Sequence, residues 1–416
     1  MTDRPLLAFV LPLLVAACAS AGPLEVRCDD FASYAKPVET GAGAANPFFV
    51  PMMEMAETTA ASGGDTPPLY PVLLLSGGGQ WGAFGAGFLK GLADRGRLPD
   101  FKIVTGVSTG AMQAPFAALA NEANDPQDRA DQDLIDLATL YQPASEDKFA
   151  RRFGDAGFIF QGADASLAPL ADEIRNALCP DNDFGADDCR LTRLAKGGAP
   201  AFVGFVEARS GALFTANLKE IAEGGGAPAR ECVTAAMLAS AAVPVEFQQF
   251  RTGGRAWYDG GVRRAVFEAS VSEMMAKARK EVVDETACDA RRKENPAAEC
   301  DGVKDAHWRR ADATAPQPVF YVIRNGKSTI ADDADIDGEA GALPNAKRAV
   351  RIILNQNELD SLAAVRLSNP GAQIFYQTAD DTTLSPAPGS KFDPAFMRAL
   401  VAFGEAKAGD GWLVFP

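Results

Sequence analysis

The chain has 416 residues, of which 47% are hydrophobic and 23% are charged, which is enough for one large or two moderate globular domains. Its formal net charge of -15 predicts a surface that repels nucleic acid and anionic lipid headgroups. We therefore expect no nucleic-acid partner, and any contact with a bilayer or an acyl chain has to be apolar.

The first segment is typical of an export signal. A short basic start precedes an apolar run over residues 6–16, which is too short to span a bilayer. The sequence Val-Ala-Ala-Cys at 15–18 resembles the bacterial lipobox, which predicts a signal peptide over residues 1–17 and a lipid on Cys18. Cleavage after Ala21, at an Ala-x-Ala-like site, is the alternative. In either case we expect an exported protein. Ala19, directly after Cys18, resembles the pattern of lipoproteins that are sent on to the outer membrane, which implies a lipoprotein that faces the periplasm.

The chain has seven cysteines, and the six that follow Cys18 form an even set. In an oxidising compartment such a set suggests disulfides. The pairs Cys179–Cys189 and Cys288–Cys300 would each close a short polar loop, and Cys28 would then pair with Cys232. Other connectivities and buried free thiols are the alternatives. Because the chain has one histidine and no Cys-x-x-Cys, we expect no zinc site. We also expect no other metal and no cofactor.

The order of apolar runs predicts the domain organisation. Residues 18–66 have little periodicity and many Gly, Ala, Pro and Thr residues, which predicts an irregular arm or linker. Residues 67–416 alternate strand-like and helical patterns, which indicates a parallel sheet between helices. Dense charge over residues 271–316 predicts an excursion from this core. Five aspartates between residues 125 and 136 are interpreted as solvated helix faces, with a calcium site as the alternative.

A glycine loop follows the first buried strand of the domain. The apolar run over residues 72–75 leads into glycines at 77–79 and then into a helical pattern from residue 83. A backbone without side chains lets a ligand approach its N–H groups, and the start of a helix favours negative charge. The loop therefore predicts a site for an anion or oxyanion. Gly77-x-Gly79-x-x-Gly82 also fits a dinucleotide fingerprint, which leaves a nucleotide binder as an alternative.

A second motif follows the next strand-like run, over residues 101–105. A dinucleotide site needs an acidic residue at this point to bind a ribose, but the chain has Gly-x-Ser-x-Gly at 106–110 instead. This pattern is typical of a nucleophile elbow, with Ser108 as the nucleophile. Because the two motifs follow successive strands, we expect the glycine loop to supply oxyanion donors beside Ser108.

A serine nucleophile needs a base. The one histidine of the chain, His307, lies in the charged excursion, where a surface position is the more common outcome. Asp259 stands in Tyr-Asp-Gly-Gly at 258–261, after an apolar and aromatic run, on a tight turn at a sheet edge. We therefore predict that Asp259 is the base.

The glycine loop, the Gly-x-Ser-x-Gly turn and the Asp-Gly-Gly turn, in this order, resemble the signature of the patatin-like phospholipase family. The segment Ala-Ser-Ala-Ala-Val-Pro at 239–244 is similar to the stretch before the aspartate in that family. The resemblance implies a three-layer α/β/α sandwich with a mainly parallel central sheet. It also implies hydrolysis of phospholipid or lysophospholipid acyl esters through an acyl-enzyme. The site residues that it implies are Ser108 and Asp259 as a dyad and Gly77, Gly78 and Gly79 as the oxyanion hole.

Two departures from the family pattern bear on the substrate. Gln80 and Trp81 stand where the family usually has a basic residue, which predicts weaker headgroup binding or a more apolar mouth. Arg263 and Arg264 replace an Asn-Pro-like continuation, and they either contact substrate phosphate or form surface salt bridges. These departures leave a non-catalytic lipoprotein that binds acyl chains or an envelope partner as the alternative function.

Overall fold

A computed structural model gives the fold and describes residues 22–38, 48, 69–120, 129–154, 162–268, 292–293, 317–330 and 341–415. Several predicted features lie outside these residues: the export signal with Cys18, the pair Cys288–Cys300, most of the charged excursion, and His307.

Within these residues one sheet of 11 strands forms the middle of the molecule, and a ribbon of two strands lies apart from it. The strands, in chain order, are β1 (Leu24–Glu25), β2 (Lys36–Pro37), β3 (Leu69–Leu75), β4 (Ile103–Val107), β5 (Arg151–Arg152), β6 (Ala165–Ser166), β7 (Ala201–Glu207), β8 (Leu213–Asn217), β9 (Phe250–Thr252), β10 (Arg255–Asp259), β11 (Gln317–Arg324), β12 (Gln373–Thr378) and β13 (Leu413–Val414). The ribbon consists of β5 and β6. The sheet runs β1-β9-β10-β7-β4-β3-β11-β12-β13, with β8 also paired to β7 and β2 paired to β8.

The helices cover the two faces of this sheet. In chain order they are α1 (Phe31–Tyr34), α2 (Gly82–Ala93), α3 (Thr109–Leu119), α4 (Arg129–Leu140), α5 (Ala168–Leu178), α6 (Arg190–Gly197), α7 (Leu218–Glu223), α8 (Gly226–Ala241), α9 (Ala342–Ser368) and α10 (Pro394–Lys407). No helix in the described part of the chain combines the length and apolarity that a membrane span requires.

The central strands are parallel and buried on both faces. Strands β7, β4, β3, β11 and β12 pair in parallel, in that order. Side chains alternate across β3, so that Leu73 and Leu75 join a large apolar cluster while Val72 and Leu74 join a second one. The first cluster includes residues of α2, α3, α8 and α10, and the second includes Val365 of α9. The molecule is therefore the predicted three-layer sandwich with a mainly parallel sheet.

The N-terminal segment packs on the sheet. Strand β1 extends the sheet beside β9, and β2 pairs with β8. Between them, the fully buried Phe31 contacts the rings of Phe205 and Trp257. The disulfide Cys28–Cys232 joins this segment to α8. Part of the predicted arm therefore forms edge strands of the main sheet. The sequence did not predict them, because strands of two residues are too short to give a periodic signal.

The structure contains two of the predicted disulfides. Besides Cys28–Cys232, a disulfide joins Cys179 to Cys189. Both pairs match the predicted arrangement.

The interpretation of the aspartates as solvated is wrong for Asp133 on α4. Its side chain lies against Arg190 at 2.7 Å and Arg193 at 2.9 Å, and the residue is only 1% exposed. The sequence could not show this, because both arginines are supplied by α6, far along the chain. In the part of the chain that the structure describes, no group of three or more His, Cys, Asp or Glu side chains is arranged to hold a metal ion.

Candidate active site

Ser108 lies on a sharp turn between β4 and α3. Its φ of 55° and ψ of -120° are unusual for a residue with a side chain, and such strain is commonly found at functional sites. The turn is tight, because a Cβ on Gly106 would clash with the Gly110 carbonyl and a Cβ on Gly110 would clash with the Leu75 carbonyl. The two glycines of Gly-x-Ser-x-Gly are therefore required by close packing. Ser108 remains 8% exposed at the top of the sheet.

Ser240, near the end of α8, holds the backbone of this turn. The Ser108 N–H donates to Ser240 Oγ at 2.9 Å, and the Ser240 hydroxyl donates to the Gly204 carbonyl at 2.6 Å. Ser240 is fully buried, so its hydroxyl satisfies two backbone groups that have no access to water. The sequence analysis noted the segment around Ser240 but did not assign this role to it.

Asp259 and Ser108 come together because the strands β10 and β4 end next to each other along β7. Strand β8 occupies one edge of β7, so β4 and β10 share the other edge. The last residue of β4, Val107, lies opposite Gly204, and the last residue of β10, Asp259, lies opposite the next residue, Phe205. Because β4 and β10 run toward each other, Ser108 and Asp259 meet at the junction.

Asp259 is almost fully buried, with 2% of the residue exposed. Its Oδ1 accepts the Gly261 N–H at 2.7 Å, and its own N–H donates to the Ala242 carbonyl at 3.0 Å. Among the described residues, Oδ2 has no partner with regular hydrogen-bond geometry. The Ser108 side chain also lies against this carboxyl.

Burial raises the pKa of Asp259 to about 7. The contact with the Ser108 side chain and the hydrogen bond from Gly261 act in the opposite direction, but they do not offset the loss of water around the carboxylate. A carboxyl with a pKa in this range can accept and return a proton near neutral pH.

The glycine loop lies directly beside Ser108. A Cβ on Gly77 would be 3.3 Å from Ser108 Cβ and 4.0 Å from Ser108 Oγ. Gly78 has a φ of 147° and Gly79 a φ of 56°, conformations that glycine adopts readily. No N–H of residues 77–79 donates a hydrogen bond to another described residue. The loop therefore offers unused backbone donors next to the serine.

A buried amide network fixes the base of this loop. The Asn325 side chain donates to the Ser76 carbonyl at 2.8 Å and to Gln113 Oε1 at 3.0 Å. Gln113 donates to the Gly82 carbonyl at 2.7 Å, and the Ser76 hydroxyl donates to the Gly77 carbonyl at 2.8 Å. These three side chains are fully buried. Asn325 and Gln113 were not predicted as site residues, and the only available signal was a polar residue directly after the strand β11.

Gln80 anchors a C-terminal segment to the end of the glycine loop. Its amide donates to the Ser390 carbonyl at 3.3 Å, and its Oε1 accepts the Asp393 N–H at 2.8 Å. Trp81 packs edge-on against the Phe396 ring, with centroids 4.9 Å apart. Gln80 and Trp81 therefore hold residues 390–396 in place, which is a role that the sequence analysis did not predict.

The two arginines after Asp-Gly-Gly differ in their exposure to solvent. Arg263 is exposed and donates from Nη1 to the Gly211 carbonyl at 3.3 Å. Arg264 is half-buried. A role for either arginine in binding phosphate stays a prediction.

Comparison with known proteins gives one family. The family model described as patatin-like phospholipase matches residues 73–270, which include the glycine loop, Ser108, Ser240 and Asp259. A crystal structure of VipD from Legionella pneumophila aligns over 84% of this chain and 68% of its own chain, with 12% sequence identity and a TM-score of 0.33. No curated protein sequence matches the chain.

Proposed function

Residues 73–270 belong to the patatin-like phospholipase family of lipid acyl hydrolases, and on this premise we propose that Ser108 and Asp259 cleave phospholipid or lysophospholipid acyl esters as a dyad. The observation that carries the proposal is the meeting of β4 and β10 on one edge of β7. This meeting brings a strained serine next to a buried carboxyl that keeps one oxygen without a regular partner.

The reaction follows from the positions of these groups. Ser108 Oγ attacks the acyl carbonyl carbon, and its proton passes to Asp259 Oδ2. The carbonyl oxygen becomes an oxyanion, which the free N–H groups of residues 77–79 stabilise, and losing one such donor typically costs about 3 to 4 kcal/mol. When the ester bond breaks, the proton on Asp259 passes to the leaving alkoxide. Water, activated by Asp259, then attacks the acyl group on Ser108 and releases a fatty acid.

We further propose that the protein is exported and carries a lipid on Cys18. The lipobox-like sequence at 15–18 supports this, and two disulfides suit an oxidising compartment. The anchor would hold the enzyme at the outer membrane, on the periplasmic side. Metabolic labelling with a fatty acid should mark the wild-type protein and leave the Cys18→Ser variant unmarked. A labelled Cys18→Ser variant, or an unlabelled mature wild type that begins after Ala21, would contradict lipidation.

Lipid profiling tests the hydrolase proposal. The purified protein is incubated with a panel of phospholipids and lysophospholipids, and the released fatty acids and lysolipids are identified by mass spectrometry. We expect products from the wild type and none from Ser108→Ala. If the wild type released no product from any ester, and bound lipid were recovered intact, the chain would be a non-catalytic lipid binder.

A further inference from the structure

The two halves of the long helix α9 are held to the body of the protein in different ways. Its buried residues, Glu358, Ser361 and Val365, all lie in the C-terminal half. Residues 342–354 of the same helix have no buried side chain. Ion pairs hold this first half instead, with Lys347 at 2.9 Å from Asp164 and Arg351 at 3.1 Å from Glu246.

The first half of α9 ends beside the proposed catalytic aspartate. A Cβ on Gly261, two residues after Asp259, would be 3.2 Å from Leu354 Cδ2. Asn357 donates from its side chain to the Gly261 carbonyl at 3.0 Å and to the Val262 carbonyl at 2.7 Å. This helix therefore forms part of the rim of the site.

Two adjacent isoleucines on this rim face solvent. Ile352 is 47% exposed and Ile353 is 51% exposed. Exposed apolar side chains on the outer face of a helix can lie at the boundary between the headgroups and the acyl chains of a bilayer.

The start of the described chain lies near the same rim. The Gln248 side chain donates to the Gly22 carbonyl, and the Leu24 N–H donates to the Gln249 carbonyl at 2.9 Å. Gln248 is two residues from Glu246, the ion-pair partner of Arg351 on α9. Cys18 precedes Gly22 by four residues, which span at most about 14 Å when fully extended. A lipid on Cys18 would therefore keep this face close to the membrane that holds it.

We propose that the first half of α9 docks on the phospholipid bilayer that holds the Cys18 anchor, with Ile352 and Ile353 inserted at the level of the headgroups. Ser108 then takes its substrate from the leaflet that carries the anchor. The contact is apolar, which suits zwitterionic lipids and a protein of net charge -15. This inference rests on the proposed acyl hydrolase function and on lipidation of Cys18.

The first test separates membrane docking from chemistry. Lipidated wild type, the double variant Ile352→Ser/Ile353→Ser and the control Leu367→Ser are reconstituted into vesicles of phosphatidylcholine and phosphatidylethanolamine. Leu367 is 80% exposed at the far end of the same helix. Leu367→Ser therefore also replaces an exposed apolar side chain by serine, but it does so away from the proposed docking surface. We expect the double variant to hydrolyse vesicle lipid about tenfold more slowly, with unchanged turnover of a soluble short-chain ester. The control should match the wild type on both substrates.

The second test does not depend on turnover. An environment-sensitive fluorophore is attached to Ile352→Cys or, as the control, to Leu367→Cys, and its emission is recorded before and after reconstitution. We expect a blue shift only at position 352. A double variant that behaves like Leu367→Ser, an equal loss on vesicles and on the soluble ester, or equal emission at both positions would overturn the inference. If the wild type cleaves no ester but position 352 still shifts, the hydrolase proposal fails and the docking surface stands.

Discussion

Two buried aspartates show how surroundings decide the chemistry of one residue type. Burial raises the pKa of Asp133 as well, but its carboxyl pairs with Arg190 and Arg193, whose positive charges act in the opposite direction. Asp259 has the Ser108 hydroxyl and the Gly261 N–H near it, and burial raises its pKa to about 7. The first carboxylate is suited to structure and the second to proton transfer, although both occur in sequence as single acidic residues.

The raised pKa of Asp259 predicts the pH dependence of the reaction. Below about pH 7 the carboxyl is protonated and cannot accept the Ser108 proton. We expect kcat/KM on a short-chain ester to rise about tenfold per pH unit and to level off above pH 7. A pH-rate profile measures this, and a profile that is flat from acid to neutral pH would exclude Asp259 as the titrating base.

The same carboxyl should lower the stability of the protein above neutral pH. Because its folded pKa is above the unfolded value of about 3.9, its contribution to stability decreases as pH rises between these two values. At about pH 8, Asp259→Asn should therefore be more stable than the wild type by about 2 to 4 kcal/mol, although it is inactive. Thermal unfolding at about pH 8 and about pH 5 measures the difference, which should shrink at the lower pH. A variant that is less stable at both pH values would contradict the assignment.

Ser240 should affect catalysis by positioning Ser108. Ser240→Ala leaves the Ser108 N–H and the Gly204 carbonyl without their partner, which we expect to lower kcat about tenfold or more with little change in KM. Thr234→Val is a matched control, because Thr234 is also fully buried on α8 and its hydroxyl donates only within the helix, to the Arg230 carbonyl at 2.8 Å. Steady-state kinetics compare the two. Equal kcat losses in both variants would indicate a merely structural role for Ser240.

At the level of secondary-structure elements, local sequence patterns were sufficient to predict the two site motifs and the strands that precede them. They predicted β3, β4, the two turns and the parallel order that puts the glycine loop beside Ser108. They could not reveal that β4 and β10 end against each other on β7, because this depends on pairing between strands that are far apart in the chain. The roles of Ser240, Asn325 and Gln113 were missed for the same reason, since a polar side chain shows its partners only after folding.

The glycine loop depends on its contact with the segment after β11. A Cβ on Gly78 would overlap the Asn325 carbonyl oxygen, and the φ of 147° disfavours any other residue. Gly78→Ala should therefore displace the oxyanion donors and lower kcat/KM about 100-fold or more. Gly96→Ala is the control, because Gly96 also has a positive φ of 59° but faces open space. This control should lose about 1 kcal/mol of stability and keep its activity. Normal kinetics in Gly78→Ala would show that the loop is not required in this form.

Over the whole molecule, residues that lie outside the family match support the backbone of the proposed active site. The match ends at residue 270, yet Asn325 supports the glycine loop and Asn357 of α9 binds the Asp259 turn. The segment 390–393, held by Gln80, comes from still farther along the chain. Because β11 pairs with β3, these later residues belong to the same sheet and not to a separate unit.

The disulfide that closes the longer loop should contribute more to global stability, because the loop-closure entropy grows with the logarithm of loop length. Cys28 and Cys232 are 204 residues apart, whereas Cys179 and Cys189 are 10 apart. Replacing the first pair by serine should cost about 3 to 5 kcal/mol, and replacing the second pair about 2 to 3 kcal/mol. Denaturant unfolding of the two double variants measures both losses. A larger loss from the Cys179–Cys189 pair would contradict a fold in which the N-terminal segment is tied to α8.

The proposed dyad of Ser108 and Asp259 can be tested most directly by covalent labelling. A fluorophosphonate probe reacts with an activated serine, and peptide mass spectrometry then locates the adduct. We predict one adduct, on Ser108, that is absent in Ser108→Ala and forms about 100-fold or more slowly in Asp259→Asn. An adduct on another residue, or an unchanged rate in a folded Asp259→Asn protein, would contradict the account.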